Sequence, residues 1–170
     1  DDAKEIIEFI EKNPISFMNG QKGQEVLMGS ENVTEVIRTN EVTNTVSKIS
    51  AMTEIREFMV AEQQRIAKNG GIIMDGRDIG TVVLPKADLK IFLVASVDER
   101  AERRYKENLS KGIPTDLERL KIEISERDRK DSTRAISPLK QAEDAILLDS
   151  TGKTINEIVQ FIEDKAKELM

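Results

Sequence analysis

The stretch Ile72-Ile73-Met74-Asp75-Gly76-Arg77-Asp78-Ile79-Gly80-Thr81-Val82-Val83-Leu84-Pro85 constrains the fold most. It opens as an apolar run and breaks into a charged turn punctuated by glycine. A short apolar run without polar alternation reads as a strand buried on both faces. Two more runs have the same character: Leu89-Lys90-Ile91-Phe92-Leu93-Val94-Ala95 and Ala145-Ile146-Leu147-Leu148-Asp149. Helical patterns lie between and after them, so parallel pairing through right-handed crossovers is expected. Ligands in open α/β sheets bind beyond the carboxyl ends of the strands. That is where Asp75, Arg77 and Asp78 leave the first run. An Arg there can fork onto a phosphate, and an Asp can accept from a hydroxyl or an amine. The alternative is a tight loop whose Arg and Asp pair with each other.

The segment before this core reads differently. Ile6, Ile7 and Ile10 sit at helical spacing in residues 1–12, and Asn13-Pro14 stops that helix. Ile15–Met18 and Gln24–Met28 flank Asn19-Gly20-Gln21-Lys22-Gly23 as a β-hairpin with an Asn-Gly turn signal. Val33 to Ile37 reads as a brief helix or an edge strand. Thr39-Asn40-Glu41 starts a helix. Thr53 is expected to cap another, which ends at Asn69-Gly70-Gly71. The hairpin region, about 13–38, interrupts the strand–helix alternation and reads as an insert.

Beyond the second strand, Ser96 or Asp98 caps a basic helix and Lys111-Gly112-Ile113-Pro114 breaks it. Thr115-Asp116 begins a long helix reaching about Arg134. Thr154 begins the last helix.

Several chemistries are excluded by composition. The chain has no Cys and no His, so disulfides, thiolate metal sites and the common zinc ligands and general base are missing. A net charge of −6 argues against a nucleic-acid partner. Neither a membrane-length apolar run nor a signal-peptide pattern occurs. A cytoplasmic protein acting on small molecules fits best.

Three constellations remain. Arg127, Asp131 and Arg134 recur at i, i+4 and i+7, which places them on one helical face. Two guanidinium forks around a carboxylate suit a phosphorylated sugar; the alternative is a solvated face of intrahelical ion pairs. Arg100, Arg103 and Arg104 either line an anion site or pair with Glu99, Glu102 and Glu107. Thr151-Gly152-Lys153-Thr154 imitates the end of a phosphate-binding P-loop, but Leu147 stands where the pattern needs a Gly. A turn at Gly152 and an N-cap at Thr154 are expected instead.

In this order, Asp75-Gly76-Arg77-Asp78-Ile79-Gly80-Thr81-Val82-Val83, Lys90-Ile91-Phe92-Leu93, Glu99-Arg100-Ala101-Glu102-Arg103-Arg104, Glu126-Arg127-Asp128 to Arg134, and Leu148-Asp149-Ser150-Thr151 resemble bacterial cytidylate kinase, of the nucleoside monophosphate kinase family. So does Ile37-Arg38-Thr39-Asn40-Glu41-Val42, with Ser47 and Arg56. The resemblance covers essentially the whole chain.

It implies an α/β fold: a P-loop NMP-kinase-type parallel sheet flanked by helices, with a small antiparallel insert in the NMP-binding region. It divides the chain into an NMP-binding region, 1–69, with the insert at about 13–38. The core sheet domain is then 70–99 and 135–170, and the LID with its following long helix is 100–134. By the same resemblance the reaction transfers the γ-phosphoryl group of ATP, with Mg²⁺, to CMP or dCMP. Ser47, Arg56 and Asp78 would read cytosine, and Asp131 the ribose hydroxyls. Arg77, Arg127 and Arg134 would hold phosphate oxygens in the catalytic site. Arg103 and Arg104 would approach the ATP phosphates.

The family's leading strand, P-loop and following strand are not represented. The expectation is therefore a fold incomplete at its N-terminus, Asp1 as a truncation point, and little or no turnover by these residues alone. Mg²⁺ would be held through the nucleotide phosphates and the P-loop rather than by residues present here. The remaining expectations are a monomer with no nucleic-acid or membrane partner. The alternatives are a nucleotide-binding paralogue without catalysis, a kinase for another monophosphate, and an ion-paired domain with no ligand.

Overall fold

The structure, a computed structural model, describes residues 2–21 and 23–169, with the side chains of Asn40, Thr43, Asn44 and Ser47 outside that description. Asp1, read as a truncation point, and Lys22, assigned to the hairpin turn, both lie outside the described residues. The chain divides into two compact units, one up to Gly70 and one from Gly71 onward.

The first unit begins with α1 (Ala3–Lys12), capped by Asp2, whose carboxylate accepts from the Lys4 N–H. Strands β1 (Ile15–Gly20), β2 (Gly23–Met28) and β3 (Glu31–Asn32) form an antiparallel sheet in that order. The hairpin is where the sequence put it, but its tip is shifted. Asn19 pairs with Gln24 and Gly20 with Gly23, so Asn19-Gly20 completes the ladder instead of turning it. Gly23 takes the turn strain at φ 119°, open to glycine and costly for other residues.

Of the two alternatives for Val33–Ile37, the edge strand is not formed and the brief helix is, only at the end of the segment. Val33 and Thr34 are buried, and the Thr34 hydroxyl accepts from the Val26 N–H at 2.8 Å. A single 3₁₀ turn then spans Val36–Arg38. Helices α2 (Asn40–Ile49) and α3 (Thr53–Ala67) follow. Thr39 caps α2 as expected. Thr53 does not cap α3: it is the first helical residue, and the cap position belongs to Met52, which has no capping side chain.

The second unit corrects the opening expectation. Ile72-Ile73-Met74 is not a strand, and Ile73 is 96% exposed. A strand exists only where its backbone groups find a neighbouring ladder. Among the described residues the parallel sheet contains just β4 (Ile91–Val94) and β5 (Ile146–Asp149), paired from Ile91↔Ile146 to Val94↔Asp149. Burial of these strands on both faces is incomplete as well: Leu148 is 6% exposed, but Leu93 is 53% and Leu147 57%.

Helices α4 (Val97–Ser110) and α5 (Leu117–Thr133) form a hairpin. Ser96 and Asp116 cap them, their side chains accepting from the Glu99 and Arg119 N–H groups. Gly112 turns the chain between them at φ 68°. Ala101, Leu120 and Ile124 make the buried contact, flanked by Val97, Tyr105 and Leu117. Ala101 is fully buried, so the helices approach closely there. Thr154 caps α6 (Ile155–Lys167) in a reciprocal capping box with Glu157. With Gly152 at φ 69°, Thr151–Thr154 is a tight turn and cap, as the missing upstream glycine required.

Leu120→Ala truncates a buried leucine, 5% exposed, at the centre of the α4–α5 contact. Chemical denaturation should show a loss of about 2–4 kcal/mol; an unchanged midpoint would mean that this contact does not hold the hairpin.

Candidate functional site

The site grows from a backbone irregularity. Residues Ile79–Val83 form one π-helical turn. The Asp78 carbonyl accepts from the N–H groups of Val82 at 2.9 Å and Val83 at 3.2 Å, and the Ile79 carbonyl from Leu84 at 2.7 Å. Such turns are rare and gather at functional sites. Val83, 1% exposed, anchors this one in the core. Glycine at position 76 gives the turn room: a Cβ there would stand 2.9 Å from Cγ1 of Ile79 and displace that side chain. The turn leaves Asp75 exposed and holds the Asp78 side chain at only 12% exposure.

The end of α5 meets this turn. Arg77 Nε donates to Asp131 Oδ2 at 2.8 Å. Arg127 Nε stands 3.9 Å from the same oxygen, and Arg134 Nη1 lies 4.0 Å from Oδ1. Arg134 Nη2 is also 3.8 Å from Asp78 Oδ2. Five of the expected site residues thus form one cluster, Arg77, Asp78, Arg127, Asp131 and Arg134. The single-face expectation is adjusted in one respect. Arg134 is the C-cap of α5 in extended backbone, and its Nε donates to the Ser137 carbonyl. Three guanidinium groups around two carboxylates leave the cluster positive. Such a cluster can take phosphate oxygens on its cations and hydroxyl or amine donors on its carboxylates.

The sequence reading missed the pairing beside it. Arg100 grips Asp128 through two bonds, 2.9 and 2.6 Å, while its Nε donates to the Ala95 carbonyl. The sequence leaves it either an anion site or the acids of its own helix, and it does neither in pairing with Asp128: it ties α4 to α5. Charge placed Arg100 on α4 and Asp128 on α5, but nothing in the sequence specified that they meet. The Arg100 bond holds the Asp128 carboxyl below the ordinary carboxylate range, helped by the charges of Arg77 and Arg127.

Arg103 and Arg104 do not join the cluster. Arg103 bonds Glu99 at 2.8 Å and reaches the Ser150 and Lys153 carbonyls at 2.6 and 3.4 Å, in the loop after β5. Arg104 is exposed on α4. Two other acids of that helix pair along it, Glu102 with Lys106 and Glu107 with Lys111. In the first unit, Arg56 donates from Nε and Nη2 to the Ser50 carbonyl at 3.1 and 2.8 Å, closing the turn between α2 and α3. Ser47 lies on α2, with its side chain outside the described residues. No three carboxylates gather as a metal-binding group among the described residues.

The Asp128 carboxyl is lowered in the folded state, which fixes the sign of its pH effect. Its contribution is fully present above the unfolded value of about 3.9 and is lost as pH falls through the lower folded value. With both side chains about one-third exposed, solvent screening limits it to roughly 1 kcal/mol. Denaturation of wild type and Asp128→Asn should therefore differ by about that much at pH 7. The gap should close as the solution is taken below about pH 4. A gap constant with pH would show that the ion pair contributes nothing.

The family model described as cytidylate kinase matches residues 1–168. The cytidylate kinase of Lactococcus lactis subsp. cremoris (strain MG1363) is 85% identical over 170 residues, covering all of this chain and 77% of the relative. That of Streptococcus pyogenes serotype M6 is 63% identical over 166 residues, or 97% of this chain and 74% of the relative. That of Streptococcus sanguinis (strain SK36) is 60% identical over 171 residues, covering all of this chain and 76% of the relative. With the Asp75–Val83 turn and the arginine-bearing end of α5 falling inside a match of this extent, the chain belongs to the cytidylate kinase family.

Proposed function

We infer that the protein transfers the γ-phosphoryl group of ATP to CMP or dCMP, giving CDP or dCDP. The observation that carries this reading is the gathering of Arg77, Arg127 and Arg134 around Asp131, with Asp78 alongside, in a chain of this family. The three guanidinium groups would neutralise and orient phosphate oxygens. Asp131 would accept from the ribose hydroxyls. Asp78 would accept from the exocyclic amine of cytosine, with Ser47 and Arg56 completing the base contacts. Uracil lacks that amine, so a carboxylate at this place disfavours UMP.

Phosphoryl transfer needs little covalent chemistry from the protein; positioning and charge neutralisation supply most of the rate. This cluster has the charge for that work. The site residues fit phosphates rather than a bare metal ion; Mg²⁺ would be held through the nucleotide phosphates and would supply further charge neutralisation there. Arg103 and Arg104 are the candidate partners of the donor phosphates; for Arg103 this requires exchanging its carbonyl contacts in the loop after β5.

The reading extends to the division of labour along the chain. Residues 1–69 would form the acceptor-binding region, 70–99 with 135–170 the core, and 100–134 the LID and its following helix. It describes a monomeric cytoplasmic enzyme of pyrimidine metabolism. Among the described residues no helix is long and apolar enough to cross a membrane.

Steady-state kinetics with CMP, dCMP and UMP, measured on a chain that also carries the family's P-loop, test the assignments. Asp78→Asn offers uracil a donor and takes an acceptor from cytosine. It should lower kcat/KM for CMP by about 10- to 200-fold and narrow the preference over UMP. An unchanged CMP-to-UMP ratio would overturn the base-reading role. Asp131→Ala should weaken CMP more than dCMP, because dCMP presents one hydroxyl fewer. Equal losses would remove Asp131 from the ribose.

A further inference from the structure

Lys90 precedes the first paired residue of β4, and its side chain is 7% exposed. A buried ammonium is costly unless its donors are met. Here Nζ donates to both oxygens of Asp144, at 2.8 and 2.7 Å, and to the Pro85 carbonyl at 2.6 Å. The Lys90 bond keeps the Asp144 carboxyl below its ordinary range. The Lys90 backbone carbonyl accepts from the Ile146 N–H at 2.9 Å, so main chain and side chain both hold the segment entering β5.

The same side chain meets the π-helical turn at Gly80 and the backbone just beyond it at Pro85. Its stem runs against Gly80: a Cβ there would lie 3.4 Å from Cδ and 3.7 Å from Cγ of Lys90. Its ammonium takes the carbonyl of Pro85, two residues beyond the end of the turn at Val83. An apolar side chain would fill this volume without the desolvation cost. What the ammonium adds is direction, because it pins the backbone on the far side of the turn to a carboxylate on another segment. The turn it pins begins immediately after Asp78.

We propose that Lys90, clamped by Asp144, is a positioning residue that sets the placement of Asp78 through the π-helical turn and thereby tunes discrimination of the acceptor base. This rests on the reading of Asp78 given above. Among the described residues the ion pair of Lys90 is with Asp144 and not with Arg77, Arg127 or Arg134. Loss of the clamp therefore reaches the site through the geometry of the turn, and not by taking a charge out of the cluster.

The experiment is steady-state kinetics, on the same P-loop-bearing chain, of Lys90→Met, Asp144→Ala and Asp144→Asn, varying CMP, UMP and ATP separately, with melting temperatures recorded. Asp144 is 63% exposed at its side chain, so its variants test the clamp even where Lys90→Met fails to fold. Lys90→Met and Asp144→Ala should raise KM for CMP about tenfold and reduce the CMP-to-UMP preference, with KM for ATP and kcat within about twofold. Asp144→Asn keeps an acceptor oxygen and should recover most of the preference. Clamp variants with wild-type KM for CMP and wild-type preference overturn the proposal. Parallel losses for every substrate also overturn it, because they report stability alone. Asp78→Asn, measured alongside, separates the two levels. If it abolishes the preference while the clamp variants do not, only the clamp role falls; if it leaves the preference intact, the base-reading role falls and the clamp role with it.

Discussion

The arrangement of the second unit depends on the carboxylate of Asp131. Arg77 comes from the turn after Gly76, Arg127 from the body of α5 and Arg134 from its end, and all three point their charge at that one group. Without it, three guanidinium groups in so small a space would repel one another. With it, they stay close enough together to be presented to an anion. Only Arg77 makes a short bond, 2.8 Å; the other two stand at 3.9 and 4.0 Å. Ion pairs at those distances, with Arg127 59% exposed, add little stability. Arg127 in particular keeps its guanidinium open to solvent and to a ligand.

The scaffold around this cluster is built from directed polar contacts more than from a large apolar core. The buried hydrophobic contact between α4 and α5 is small: Ala101, Leu120 and Ile124. Arg100 and Asp128 supplement it across the same two helices. Ser150, 2% exposed, knots β5 to β4 by donating its hydroxyl to the Val94 carbonyl, and it receives Arg103 from α4. Lys90 and Asp144 do the same at the other end of the strands. The parallel pair is thus fastened at its entry and at its exit, and the π-helical turn rides on the entry clamp.

Much of this was legible in the sequence where the signal was local. Ser96, Asp116 and Thr154 cap their helices because a short polar side chain just before a helical run has one good use. Gly112 and Gly152 mark turns because both need positive φ. The charge pattern of Arg127, Asp131 and Arg134 was visible as a helical repeat. The readings that failed were those in which a local pattern needed a distant partner. Ile72-Ile73-Met74 has the composition of a buried strand, but no described strand pairs with it. Arg100 had acids close by in its own helix and took one from α5 instead. Lys90 stands within an apolar run, and nothing in that run names Asp144 as its partner.

The sequence by itself determined most helix starts, the presence of the hairpin though not its tip, the parallel character of the sheet and the family motifs, because each is written in residues a few positions apart. Tertiary structure alone decided which charges meet. Arg77 reaches Asp131 across 54 residues, Lys90 reaches Asp144 across the same separation, and Arg100 reaches Asp128 across 28. A charged side chain selects a partner by distance and burial, and neither is defined until the backbone has brought the two segments together.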